Sequence, residues 1–141
     1  MDWPLLCMSH IEIEIQQGAG QTILAVDDSK VLLDAIAGLL EIYGYRVLTA
    51  VDGAQALTLY SEYLRDIKVV LTDLVMPGMN GVELSQRLKS INPDIKIIAS
   101  TGFPPKTYEP DLLKLGVNVI LEKPFEIEDL LSAIHGVIAA A

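Results

Sequence analysis

From Thr22 onward the hydrophobic positions alternate between two patterns, five times over. Short apolar runs read as strands buried on both faces: Ile23-Leu24-Ala25-Val26, Lys68-Val69-Val70-Leu71-Thr72, Ile95-Lys96-Ile97-Ile98-Ala99 and Val117-Asn118-Val119-Ile120-Leu121-Glu122. A shorter run at 46 to 49 makes the fifth. Between them, apolar residues recur at helical spacing. The first helix spans about 29 to 43, with Val31, Leu32, Ala35, Ile36, Leu39 and Leu40 as its apolar face and Gly44 as a left-handed stop. Asp52 caps a second helix, with Gln55 placed to close a capping box and Ala56, Leu57, Tyr60 and Leu64 inward. Asn80 and Glu83 make a second such box for a helix ending near Ser90. Pro110 suits only a first helical turn, so the fourth helix is short, about 110 to 115, and Gly116 ends it. The last helix turns Leu130, Leu131, Ile134, Val137 and Ile138 inward.

Apolar strands separated by helices imply a parallel sheet covered on both faces. Right-handed crossovers leave few topologies. The expected fold is α/β: a flavodoxin-like, doubly wound, five-stranded parallel sheet of order 2-1-3-4-5 with five helices. In that order the first and third strands are neighbours, and their carboxyl ends form the crevice where such folds bind ligands.

Chemistry-bearing residues stand at those ends. Asp27 and Asp28 follow the first run, Asp73 the third, Thr101 the fourth and Lys123 the fifth. Singly, each has a structural explanation: Asp28 as a helix cap, Lys123 on the surface, Thr101 in a turn. Their joint placement after four of five runs favours a site. Three close carboxylates repel one another, and a hard divalent cation relieves this. A lysine beside them suits a phosphoryl oxygen. A carboxylate can attack phosphorus and become an aspartyl phosphate.

The 141 residues suffice for one domain, and 51% are hydrophobic, which excludes disorder for most of the chain. A net charge of −9 argues against nucleic acid and an anionic membrane surface as partners. One cysteine, Cys7, excludes an internal disulfide framework. No apolar run reaches transmembrane length and the N-terminus lacks a basic start, so a cytoplasmic location is expected. Residues 1–21 differ from the rest and read as an N-terminal extension or linker, leaving 22–141 as the domain. Within the extension, Ile11-Glu12-Ile13-Glu14-Ile15 alternates like a strand. His10 and His135 are isolated and read as ordinary surface or core histidines.

Four stretches in order carry a resemblance: Val26-Asp27-Asp28, Asp73-Leu74-Val75-Met76-Pro77 running to Gly81, Thr101-Gly102, and Lys123-Pro124-Phe125. Together they resemble the response-regulator receiver domain of two-component signalling, over about 22 to 140. The resemblance implies that Asp73 is the phosphoacceptor, taking its phosphoryl group from a histidine kinase or a histidine phosphotransfer protein. It implies Mg²⁺ held by Asp28, Asp27, Asp73 and the Val75 backbone carbonyl. Thr101 and Lys123 would bind the phosphoryl group as switch residues, and the bond before Pro124 would be cis. The function implied is a signalling switch, not an enzyme beyond its own phosphoryl transfer and slow autodephosphorylation. With no output domain after Ala141, it would stand alone or belong to a hybrid histidine kinase, with a homodimer as a further option.

Three features depart from the family pattern. Ile120 stands at the readout position, where an aromatic is common. Pro104, Pro105 and Pro110 shorten the fourth helix. Val75 and Phe103, each two residues after a site residue, cannot orient a water, so loss of phosphate from Asp73 should be slow. Val75 also excludes a haloacid-dehalogenase phosphatase, which needs an acid there. A flavodoxin needs a phosphate loop after the first strand, where Asp27 and Asp28 would repel an FMN phosphate. A degenerate receiver, docking partners without phosphorylation, is the remaining alternative.

Overall fold

A computed structural model describes residues 17–102 and 109–140. Five strands alternate with five helices among them. They are β1 (Thr22–Val26), α1 (Lys30–Ile42), β2 (Arg46–Ala50), α2 (Gly53–Glu62), β3 (Ile67–Asp73), α3 (Gly81–Ile91), β4 (Lys96–Thr101), α4 (Glu109–Lys114), β5 (Val119–Glu122) and α5 (Ile127–Ala139). The strands form one parallel sheet in the order β2-β1-β3-β4-β5, as the patterning predicts.

Each sheet face carries its own core. Tyr45, Val69, Ile98 and the α1 and α5 residues Leu40, Leu130 and Ile134 fill one side. Val70, Ile97, Tyr60 of α2 and Leu84 and Leu88 of α3 fill the other. Strand residues serve both faces in alternation, which is why their sequences are continuously apolar. The buried Tyr60 hydroxyl accepts from Asn92 Nδ2 at 3.0 Å, so the ring can sit inside without an unmet polar atom.

Several local expectations need correction. On α1 the side facing the sheet carries Leu33 and Leu40, while Val31 is 82% exposed and Leu39 41%. Ala35 is exposed too. The helix is apolar on more than one side, so periodicity alone does not choose the buried stripe. Ser29, not Asp28, caps α1, its Oγ accepting from Leu32 N–H at 3.3 Å. Asp52 and Asn80 cap as expected, but neither box closes. Gln55 Oε1 accepts from Val51 N–H at 2.8 Å, and Glu83 turns along its own helix to Arg87 at 3.1 Å. Leu64 lies past the end of α2 and is exposed. β5 starts two residues later than its apolar run because Asn118 bridges the gap. Its N–H donates to Ile97 O, and its Oδ1 accepts from Ile97 N–H, both at 2.9 Å. Gly44 ends the first helix region as expected, at φ 94°, a conformation that costs a side chain energy. Residues 11–15 and the loop containing Phe103, Pro104 and Pro105 lie outside the described residues.

One close approach ties the fold to the ligand crevice. A Cβ on Gly81, the first residue of α3, would stand 2.5 Å from the Asp73 carbonyl oxygen and 2.8 Å from Leu74 Cα. The helix can start that close to the end of β3 only without a side chain. Replacing Gly81→Ala is expected to cost about 1–3 kcal/mol in urea unfolding, because backbone must move to admit the methyl. An unchanged unfolding midpoint would contradict this packing.

Candidate functional site

Parallel register brings the strand ends level. Val26 pairs with Thr72, so Asp27 and Asp73 leave the sheet side by side. Asp73 pairs with Ser100, and Thr101 with Glu122, which sets Thr101 and Lys123 at the same edge. The loops are tied there by backbone bonds. Asp27 N–H donates to Ala50 O at 3.1 Å, Leu74 N–H to Ser100 O at 3.0 Å and Lys123 N–H to Thr101 O at 2.7 Å. The Lys123–Pro124 bond is cis.

Carboxylate oxygens of Asp27, Asp28 and Asp73 lie within 4.8 Å of one another. Asp27 is buried, Asp28 exposed, and Asp73 is 9% exposed. Lys123 Nζ reaches from the far side of the sheet to Asp27 Oδ2 at 3.2 Å and Asp73 Oδ2 at 3.3 Å. Three carboxylates against one ammonium leave an excess of negative charge in a partly buried pocket. That donor set, all oxygen and in excess of its counter-charge, fits a hard divalent cation.

The smaller parts of the pocket hold the carboxylates in place. Ser29 N–H donates to Asp27 Oδ1 at 2.9 Å, so Ser29 fixes Asp27 and caps α1 at once. Its role was not anticipated, although a serine directly before a helical run is an N-cap signal. Val75 N–H approaches Asp73 Oδ1 at 3.4 Å, while its side chain is 47% exposed at the mouth of the pocket. Thr101 is fully buried at the end of β4. Ile120 lies on β5 opposite Ala99 and packs toward the α2–α3 side of the core. Phe103 falls outside the described residues. His135, by contrast, is on α5, away from the strand ends.

This arrangement has known counterparts. The family model described as the response regulator receiver domain matches residues 23–135. The chain belongs to the response regulator receiver family. Members are the signalling switches of two-component systems. The response regulator receiver protein CpdR of Brucella abortus is 35% identical over 119 residues, covering 84% of this chain and 98% of that protein. The phosphate regulon regulator PhoB of Pseudomonas aeruginosa is 33% identical over 121 residues, and this chain spans 52% of its length. A receiver-domain crystal structure from Clostridium thermocellum superposes with a TM-score of 0.82 at 34% identity, covering 85% of this chain and 95% of that one. No helix among the described residues is long and apolar enough to cross a membrane.

The charge excess makes a direct prediction about metal. Replacing Asp28→Asn removes one of the three carboxylates without touching the lysine pairs. Divalent-cation affinity, measured by calorimetric titration, should weaken about tenfold or more, which is about 1.4 kcal/mol. Equal affinity in wild type and variant would exclude Asp28 as a ligand.

Proposed function

We propose that this receiver is a phosphorylation-activated signalling switch with Asp73 as its phosphoacceptor. The phosphoryl donor is a phosphohistidine on a histidine kinase or histidine phosphotransfer protein. Residues 22–141 act as the receiver domain, and 1–21 as an extension or linker. The observation that carries the reading is Lys123 Nζ, placed 3.2–3.3 Å from both Asp27 and Asp73 within the carboxylate cluster. A lysine at that point can stay with Asp73 as the oxygen it contacts becomes part of an acyl phosphate.

In the reaction, one Asp73 carboxylate oxygen attacks phosphorus. The P–N bond to the imidazole breaks, and the ring keeps the electron pair and takes up a proton. Asp27, Asp28, Asp73 and the Val75 carbonyl are the groups assigned to hold Mg²⁺. When bound, that ion supplies charge neutralisation to the transferring oxygens. Ser29 keeps Asp27 oriented through its N–H. Lys123 offsets charge on Asp73 and then on the phosphoryl group. Thr101 supplies a hydroxyl at the next strand end, and its movement toward the phosphoryl group is the switching step assigned to it. Ile120, in place of an aromatic, transmits that movement by packing rather than by ring rotation.

Incubation with acetyl phosphate and Mg²⁺, followed by intact-mass measurement, should add one phosphoryl group to wild type and none to Asp73→Asn. Labelling of Asp73→Asn to the wild-type level would overturn the assignment. Absence of labelling by any donor, with the fold intact, would favour a receiver that docks partners unphosphorylated.

The half-exposed Val75 beside Asp73 has no group with which to position water. The phosphorylated protein should therefore persist for minutes or longer in Mg²⁺ buffer without a phosphatase. Val75→Asn should shorten that lifetime several-fold. A wild-type half-life of seconds would contradict the role given to Val75.

A further inference from the structure

The amino ends of the strands, opposite the carboxylate pocket, carry the reverse charge. A cleft of about 400 Å³ opens there, at the starts of β1, β2 and β3. Arg46, Arg65 and Lys68 line it, with Asp66 as the one acidic residue among the described lining. Three cations against one carboxylate stand out in a chain with 10 basic and 19 acidic residues. All three cations are exposed, and none forms an ion pair with a described carboxylate.

The sheet departs from regular pairing at this edge. Thr22 pairs with Ile67 but Ile23 pairs with Val69, so Lys68 is an extra residue in β3. Residues two apart on a regular strand share a face. Here Ile67 packs into the α2–α3 core and Val69 into the α1–α5 core. The bulge serves both cores and leaves Lys68 at the cleft, exposed between two buried neighbours. Lys68 Nζ donates to Arg65 O at 3.3 Å, which ties the two basic residues together. Arg46 N–H donates to Gln21 O at 3.0 Å, which sets Arg46 beside the start of β1. Helix capping does not account for the cluster. At the end of α2, Tyr63 O accepts from Asp66 N–H at 2.9 Å and Ile67 N–H at 3.1 Å, so main chain already closes that turn. The Tyr63 side chain, 38% exposed, is part of the cleft wall.

We propose that this cleft binds a nucleoside polyphosphate, with Arg46, Arg65 and Lys68 on the phosphates and Tyr63 against the base. Guanidinium groups match phosphate oxygens in pairs, and an ammonium adds a point charge. An aromatic face stacks on a base whatever its identity. The cleft falls within the ordinary size range of small-molecule sites and offers more room than a single phosphate fills. The three carboxylates at the opposite edge repel the same anion, so the two ends of the sheet take ligands of opposite charge.

The full chain is titrated with ATP and with GTP in buffer free of divalent cations, which keeps nucleotide off the carboxylate pocket. Saturable amide shifts are expected at Arg46, Tyr63, Arg65 and Lys68, with none at Asp73 or Thr101. Arg65→Gln with Lys68→Gln should weaken binding about tenfold or more, and Arg46→Gln alone several-fold, should the double variant fold poorly. Lys114→Gln removes a charge from exposed α4, outside the cleft walls, and should leave affinity within about twofold. Tyr63→Ala should weaken ATP binding while leaving tripolyphosphate binding unchanged. No saturable binding of either nucleotide, or shifts centred on Asp73, would overturn the proposal. So would equal affinity for tripolyphosphate and nucleotide, or an equal loss in Lys114→Gln. Asp73→Asn should bind ATP as wild type does, so failure here leaves the phosphoacceptor assignment standing.

Discussion

Everything at the working edge of this sheet answers to one electrostatic problem. Parallel pairing of β1 with β3 forces Asp27 and Asp73 to leave the sheet side by side, and Asp28 stands next in the chain. Like charges that close are unfavourable unless something opposes them. Lys123 does so in part from two strands away, contacting Asp27 and Asp73 together. Part of the excess remains, and an all-oxygen donor set with that remaining charge fits a hard divalent cation. The fold holds the repelling groups in place by backbone constraint. Asp27, Leu74 and Lys123 are each tied by a main-chain bond to a neighbouring strand end, and Gly81 lets α3 press against the end of β3.

Strand order and the chemistry of the strand ends were legible in the sequence for a related reason. A strand buried on both faces is built mostly from apolar residues, so the runs before Asp27, Asp73, Thr101 and Lys123 stand out in the sequence. The polar residues that end them are correspondingly conspicuous. Caps follow local rules, and Asp52 and Asn80 follow them too. What the pattern could not show depends on tertiary neighbours. Gln55 and Glu83 found other partners than their own caps. Asn118 extends a ladder with its side chain, which no propensity anticipates. The buried side of α1 is decided by where the sheet lies, and a helix apolar on more than one side hides that choice.

That last point has a functional side. A helix that leaves Val31 and Ile42 in water is marginally worse for stability, yet it borders the same crevice as the carboxylates. The pocket gathers the three carboxylates and the lysine, and α1 starts beside it with an exposed apolar side. Ile120 and Val75 point the same way. One stands where an aromatic is common in the family, and the other brings no polar side chain to the neighbourhood of Asp73. Under the proposed function, a switch of this build would hold its state for long periods.

Under the proposed function, Asp27, Asp28, Asp73, Thr101 and Lys123 form one phosphoryl-binding site. Beryllofluoride, which mimics a phosphoryl group on a carboxylate, tests it directly when titrated with Mg²⁺ and followed by amide resonances. Saturable shifts are expected at Asp73, Thr101 and Lys123, requiring both Mg²⁺ and the Asp73 carboxylate. Shifts that persist in Asp73→Asn, or no Mg²⁺-dependent binding at all, would contradict it.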